Sequence, residues 1–137
     1  MAKLTRFGIS IDSDLLKKFD SLISNENYSN RSEAIRDLIR DRLVEEEWAG
    51  NEIVAGAILM VYNHHTRGLS GKLTDIQHDH GDTVISTHHI HIDHHNCMEI
   101  LAVKGKAKEI VALHNKLKSV KGVKHCELSK ATVGKKV

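Results

Sequence analysis

The 137 residues are 40% hydrophobic and 28% charged with a net charge of +2, an ordinary balance that allows one medium domain or two small ones. No run of 18 apolar residues is present, which excludes a membrane-spanning helix, and the first ten residues lack the apolar core of a secretory signal, so a cytoplasmic protein is expected. Two cysteines, Cys97 and Cys126, suit a reducing compartment, where a thiol binds metal more readily than it forms a bridge.

In chain order, Phe7, Ile9 and Ile11 alternate with Arg6, Gly8 and Ser10, the period of a half-buried strand over residues 3–11. Asp12 or Ser13 then offers a helix N-cap, and Leu15, Leu16, Phe19, Leu22 and Ile23 form one apolar helical stripe. Residues 25–29 read as a turn. A second helix begins near residues 30–32 and carries Ala34, Ile35, Leu38, Ile39 and Leu43 on one face. A single strand leaves its backbone donors and acceptors unpaired, and some fifty residues bury too little core alone. A homodimer in which two copies of residues 3–11 pair as an antiparallel ribbon answers both needs. The segment thus resembles ribbon-helix-helix proteins, whose ribbon presents its outward face to the DNA major groove.

Gly50 and its neighbours end the second helix, which places the domain boundary between residues 1–50 and 51–137. Residues 53–62 form an apolar run suited to a buried strand, and residues 69–80 suit a helix. Two strands follow at 83–92 and 97–103, joined by a tight turn. Ile110, Val111, Leu113 and Leu117 mark an amphipathic helix over 106–120; Gly122 closes it, and a last strand covers 123–133. The order βαββαβ is the split ferredoxin-like unit. The fold class is therefore α+β: a dimeric βαα module followed by a ferredoxin-like domain.

Histidine is the compositional outlier, with eleven in the chain and seven between His78 and His95. His89 and His91 are two apart on a strand, so both imidazoles leave the same face, and Cys97 opens the partner strand of that hairpin. His78, on the preceding helix, is the leading fourth ligand, with His80 its rival; either its own chain or a neighbour's could use it. His88, His94 and His95 read as exposed bystanders or weak secondary ligands. Three imidazoles and a thiolate reject magnesium and calcium, and suit zinc, copper or nickel alike.

Taken together, these residues resemble the nickel-responsive repressor family, NikR. The ribbon Arg-Phe-Gly-Ile-Ser-Ile-Asp, the block from Tyr28 to Asp37, Gln77-His78, the stretch from His89 to Glu99, and Lys121-Gly122-Val123-Lys124 carry the resemblance from Arg6 to about Thr132. It implies an ACT-type second domain through which the family forms tetramers. It also implies a square-planar Ni(II) held by His89, His91 and Cys97 of one chain and His78 of a neighbour. Tyr62 and Glu99 match positions that orient such ligands. The match puts Arg6, Gly8 and Ser10 at the base-reading positions of the ribbon; Gly8 departs from the hydroxyl residue common there. Asn30, Arg31 and Ser32 sit where helix amides can hold a DNA phosphate. Glu33 and Asp37 match carboxylates that hold an alkali cation, although salt bridges to Arg36 and Arg40 could neutralise them instead.

The first fifty residues hold eight Lys and Arg against ten Asp and Glu, yet Lys3 and Arg6 meet no acid before Asp12, so the ribbon is basic. Few phosphate contacts per dimer make useful affinity depend on joining two dimers. The reading that follows is a repressor that binds operator DNA when Ni(II) fills the site. Its rivals are a metalloenzyme, a metal store and a ribbon-helix-helix regulator that senses another metal or a metabolite. Against an enzyme, four protein ligands leave no vacancy for substrate, and no P-loop, Ser-His-Asp set or GxGxxG pattern occurs. Against a store, a store needs no groove-reading strand.

Overall fold

A computed structural model describes residues 2–137. The chain divides into two compact units, one ending at Asp41 and the other running from Arg42 to Val137. In the first, α1 (Ser13–Asn25) is capped by Asp12, whose side chain accepts from the backbone N–H of Asp14 at 2.7 Å and of Leu15 at 3.2 Å. Asn27 leaves α1 with φ 65°, a left-handed conformation asparagine tolerates, while Tyr28 N donates to Ile23 O at 2.9 Å. The second helix, α2 (Arg31–Ala49), starts with Asn30 Oδ1 accepting from Glu33 N at 2.9 Å.

Residues 3–11 make no sheet ladder with any described residue of their own chain. Leu4, Phe7, Ile9 and Ile11 are exposed, as are Leu15, Leu22, Leu38 and Ile39 on the two helices, whereas Ile23 and Ala34 are buried. The physical reason is the one the sequence indicates: a strand with no second strand has nothing to bond to, and the apolar stripes have no facing surface.

The division falls inside α2, earlier than the glycine-marked break at residue 50. Trp48 accounts for it. Its indole is buried and donates from Nε1 to Ala131 O at 2.9 Å, and the neighbouring Glu47 accepts from Thr132 Oγ1 at 3.2 Å. The last turns of α2 therefore pack with the second unit.

That unit runs β1 (Ile53–Asn63), α3 (Leu69–Asp79), β2 (Val84–His91), β3 (Asn96–Lys106), α4 (Ala107–Lys118) and β4 (Val123–Lys130). The sheet order is β2-β3-β1-β4 with every neighbouring pair antiparallel, the arrangement expected of a split βαββαβ unit. Val54, Ile58, Met60 and Tyr62 on β1 and Cys97, Leu101 and Val103 on β3 alternate into one core. Leu69, Leu73 and Ile76 of α3 and Ile110, Leu113 and Leu117 of α4 cover it. Asn51 Oδ1 caps α4 by accepting from Lys108 N at 2.9 Å.

Gly56 is required by space. A Cβ there would lie 2.6 Å from Ser129 O and 3.6 Å from the Trp48 ring. Gly56→Ala should push β1 and β4 apart and cost roughly 1–3 kcal/mol of stability. Thermal unfolding of the metal-free variant checks this; an unchanged midpoint would show that the strands relax freely.

Candidate metal centre and DNA-reading segment

Strand pairing places three of the expected ligands on neighbouring strands. His91 lies directly opposite Cys97 in the β2–β3 register, and His89 lies opposite Glu99. On the other side of β3, Tyr62 is opposite Cys97. The side chains at 89, 91, 97, 99 and 62 thus share one face of the sheet. His89 and His91 are exposed with ring centroids 5.5 Å apart, and the Tyr62 ring meets His89 edge-on at 6.2 Å. Cys97 is fully buried, and its Sγ donates to Tyr62 O at 3.6 Å.

A buried polar chain lies beside these groups. Tyr62 Oη donates to Glu99 Oε2 at 2.7 Å, Gln77 Nε2 donates to Glu99 Oε1 at 3.0 Å, and Thr87 Oγ1 donates to Gln77 Oε1 at 3.1 Å. Burial, then the hydrogen bond and charge of Glu99, push the Tyr62 hydroxyl far up, so it stays a donor at all ordinary pH. Burial chiefly raises the Cys97 thiol, the Tyr62 side-chain hydroxyl offsets this in part, and the Glu99 charge adds to the rise. The free protein therefore holds a thiol, and an ion must displace its proton to gain the sulfur. Two imidazoles and a sulfur on one face, half open to solvent, fit a borderline-soft divalent ion.

In the single chain the ligand atoms of His89, His91 and Cys97 do not all lie within 4.8 Å of one another, and His78 does not complete such a group with them. His78 is exposed on α3, while the preceding residue, Gln77, is the one turned into the core. His80 is turned back on its own helix, its Nδ1 lying 2.9 Å from Ile76 O. His88 is exposed at the β2 edge. Among the described residues, the three metal-binding side chains whose ligand atoms all lie within 4.8 Å of one another are His65, His94 and His95.

On the DNA side, Arg6, Gly8 and Ser10 are all exposed, and a Cβ at Gly8 would meet nothing within 4 Å. The missing side chain at position 8 is therefore no requirement of packing. Asn30 is engaged in capping α2, and Ser32 is exposed in its first turn. Arg31 makes a two-pronged ion pair with Asp20, both N···O distances 2.8 Å. That pair holds the Asp20 carboxyl below its usual range and turns the guanidinium toward α1. Glu33 pairs with Arg36; Asp37 pairs with Arg40 at 3.0 Å and accepts from Tyr28 Oη at 2.8 Å. The arginines thus neutralise both carboxylates in the single chain.

Residues 55–131 match the family model of the NikR C-terminal nickel-binding domain, and residues 5–46 match the ribbon-helix-helix proteins of the CopG family. The chain belongs to the NikR family. A relative from Syntrophus aciditrophicus is 54% identical over 134 residues, covering 98% of each chain. One from Trichlorobacter lovleyi is 57% identical over 129 residues, 93% of each, and one from Geobacter sulfurreducens is 52% identical over 138 aligned positions, 100% of this chain and 99% of the relative. All three are named putative nickel-responsive regulators. A solved structure of an uncharacterized Thermotoga maritima protein matches with TM-score 0.52 at 15% identity, covering 58% of this chain and 98% of that one, which shows a shared fold alone.

Within this NikR-family chain, three residues carry interactions that hydrophobic period and motif spacing do not assign. Gln77 and Thr87 complete the chain to Glu99, and helical spacing gives Gln77 no apolar signature to mark it as buried. His65 joins His94 and His95 only because β1 pairs with β3, bringing Asn63 opposite Asn96. No local pattern links residues so far apart in sequence.

Proposed function

We propose that the protein is a nickel-responsive transcriptional repressor that binds operator DNA when Ni(II) occupies a site formed by His78, His89, His91 and Cys97. The observation that carries this reading is the register that sets His91 opposite Cys97 with His89 on the same face. Membership of the NikR family, and the names of its relatives, support nickel as the ion. The ribbon, α1 and the first part of α2 act as the DNA module, and the unit from Arg42 to Val137 acts as the metal module. Arg6 and Ser10 read bases from a ribbon formed by two copies, with Gly8 between them, while Asn30, Arg31 and Ser32 sit near phosphate. Arg31 must leave Asp20 to do so. No catalytic step is assigned, because four protein ligands fill a four-coordinate ion. No helix among the described residues is long and apolar enough to cross a membrane, and the protein works on DNA in the cytoplasm.

When bound, nickel supplies a fixed cross-link between the strands and helices that hold its ligands. Tyr62 and Glu99 orient the site: their hydrogen bond keeps the β1–β3 face rigid beneath Cys97. The exposed apolar side chains of residues 4–11 and of α1 and α2 support a dimer of the first module, and two dimers joined through the second make a tetramer. An ion that binds the DNA-competent arrangement better than others raises operator affinity by that difference.

Two measurements test this. DNA selected from a random pool by the nickel-loaded protein should bind the metal-free protein weakly and tighten when stoichiometric Ni(II) is added; equal binding in both states would reject the reading. His78, exposed on α3, serves a neighbouring chain. Mixing His78→Ala subunits with Cys97→Ala subunits should then restore some intact sites, and no recovery would return His78 to its own chain.

Glu33 and Asp37 are proposed to hold an alkali cation in the DNA-bound assembly, where Arg36 and Arg40 give way to it. Potassium in place of a bulky organic cation, at equal ionic strength, should then strengthen operator binding in the wild type and not in Asp37→Asn. The same response in both would remove the site.

A further inference from the structure

We propose that His65, His94 and His95 form a second, separate site for a borderline divalent transition-metal ion. One ring nitrogen from each lies within 4.8 Å of the other two. The rings come from two loops: His65 follows β1, and His94 and His95 lie between β2 and β3. Ring centroids are 5.5 Å apart for His65–His94, 5.6 Å for His65–His95 and 4.9 Å for His94–His95.

The loops are held in place by their own bonds. Asp93 Oδ1 accepts from the backbone N–H of His95 at 2.8 Å and of Asn96 at 2.7 Å. Asn63 Oδ1 accepts from His65 N at 2.9 Å, and His64 N donates to His95 O at 3.1 Å, tying the two loops together. An ion therefore meets a partly organised site, which lowers the ordering cost of binding. His65 Nε2 lies 3.0 Å from His94 O. A carbonyl only accepts, so this bond puts the ring proton on Nε2 and leaves the lone pair on Nδ1, the arrangement by which metal-bound histidines are usually oriented.

Donor chemistry selects the ion. Three neutral imidazoles with neither thiolate nor carboxylate exclude magnesium and calcium and favour copper, nickel or zinc, copper most strongly. All three rings are exposed, so water completes the coordination shell and exchange is open. The site shares no ligand with His78, His89, His91 and Cys97. Its occupant would clamp the loop after β1 to the turn that precedes Cys97.

The test uses the full-length chain carrying Cys97→Ala and His89→Ala, so that the first centre cannot contribute. This protein should bind one Cu(II) per chain, with nitrogen splitting in the electron paramagnetic resonance spectrum from three imidazoles. Adding His65→Ala should weaken binding at least about 10-fold, the scale at which even a ligand's supporting partner matters, and reduce the splitting pattern to two. Adding His88→Ala, another exposed histidine, should change neither. Unaltered binding after both His65→Ala and His94→Ala, or an equal loss with His88→Ala, would overturn the proposal. Because the first centre is removed in every arm, failure here leaves the nickel reading untouched. That reading fails separately if Cys97→Ala alone keeps tight nickel binding.

Discussion

Cys97→Ala is expected to abolish tight nickel binding and, with it, the nickel-dependent gain in operator affinity, while the oligomer stays folded. Loss of a supporting residue around a metal ligand commonly costs about 10–100-fold in affinity, so loss of the only sulfur ligand should exceed that range. The hairpin should survive, because β3 is anchored by Leu101 and Val103 and by its full pairing with β1. Cys97→Ser is the sharper variant: it keeps size and hydrogen bonding yet removes the thiolate, so the colour from sulfur-to-metal charge transfer should vanish. The sign of the pH dependence follows from the thiol. Burial raises its pKa, so near neutral pH the metal-free site is protonated and binding releases that proton. Apparent affinity should then climb as pH rises, by about tenfold per unit for each proton released. Equilibrium competition against a chelator across pH measures this. Wild-type affinity in both Cys97 variants would show that the centre lies elsewhere.

Arg6→Ala should weaken binding to the selected operator by roughly 1–3 kcal/mol for each base pair it reads, and a symmetric dimer carries the change twice. Nickel affinity of the free protein should not change. Arg6 is exposed on the segment that precedes α1. It differs in this from Arg31, whose guanidinium is held by Asp20. Substitution at position 6 therefore removes an outward group without disturbing packing. Binding to random and selected DNA, measured at several salt concentrations, separates the roles. Equal weakening on both, with a shallower salt slope, would make Arg6 a phosphate-binding residue. No effect on either would rule out a base-reading ribbon.

The order of elements was legible from the chain alone, because hydrophobic period depends only on neighbours along it. The stripe from Leu15 to Ile23 and the apolar run at residues 53–62 each announce one element, and turn residues separate them; the alternation of Phe7, Ile9 and Ile11 announces a strand that the single chain does not form. The His89, His91 and Cys97 spacing was legible for the same reason: a strand, a turn and a strand within nine residues leave little freedom in where side chains point. Whatever depends on elements distant in sequence was settled by packing in three dimensions. Only the β1–β3 register sets Tyr62 beside Cys97 and Glu99, and only the packing of α3 on the sheet brings Gln77 to Glu99. Only the burial of Trp48 assigns the end of α2 to the second unit, where a glycine alone suggests a later break. The same pairing carries His65 to His94 and His95, from the far end of another strand. Local periodicity sees the element and the face; which faces meet is a matter of long-range packing, and that is where the chemistry of this chain is assembled.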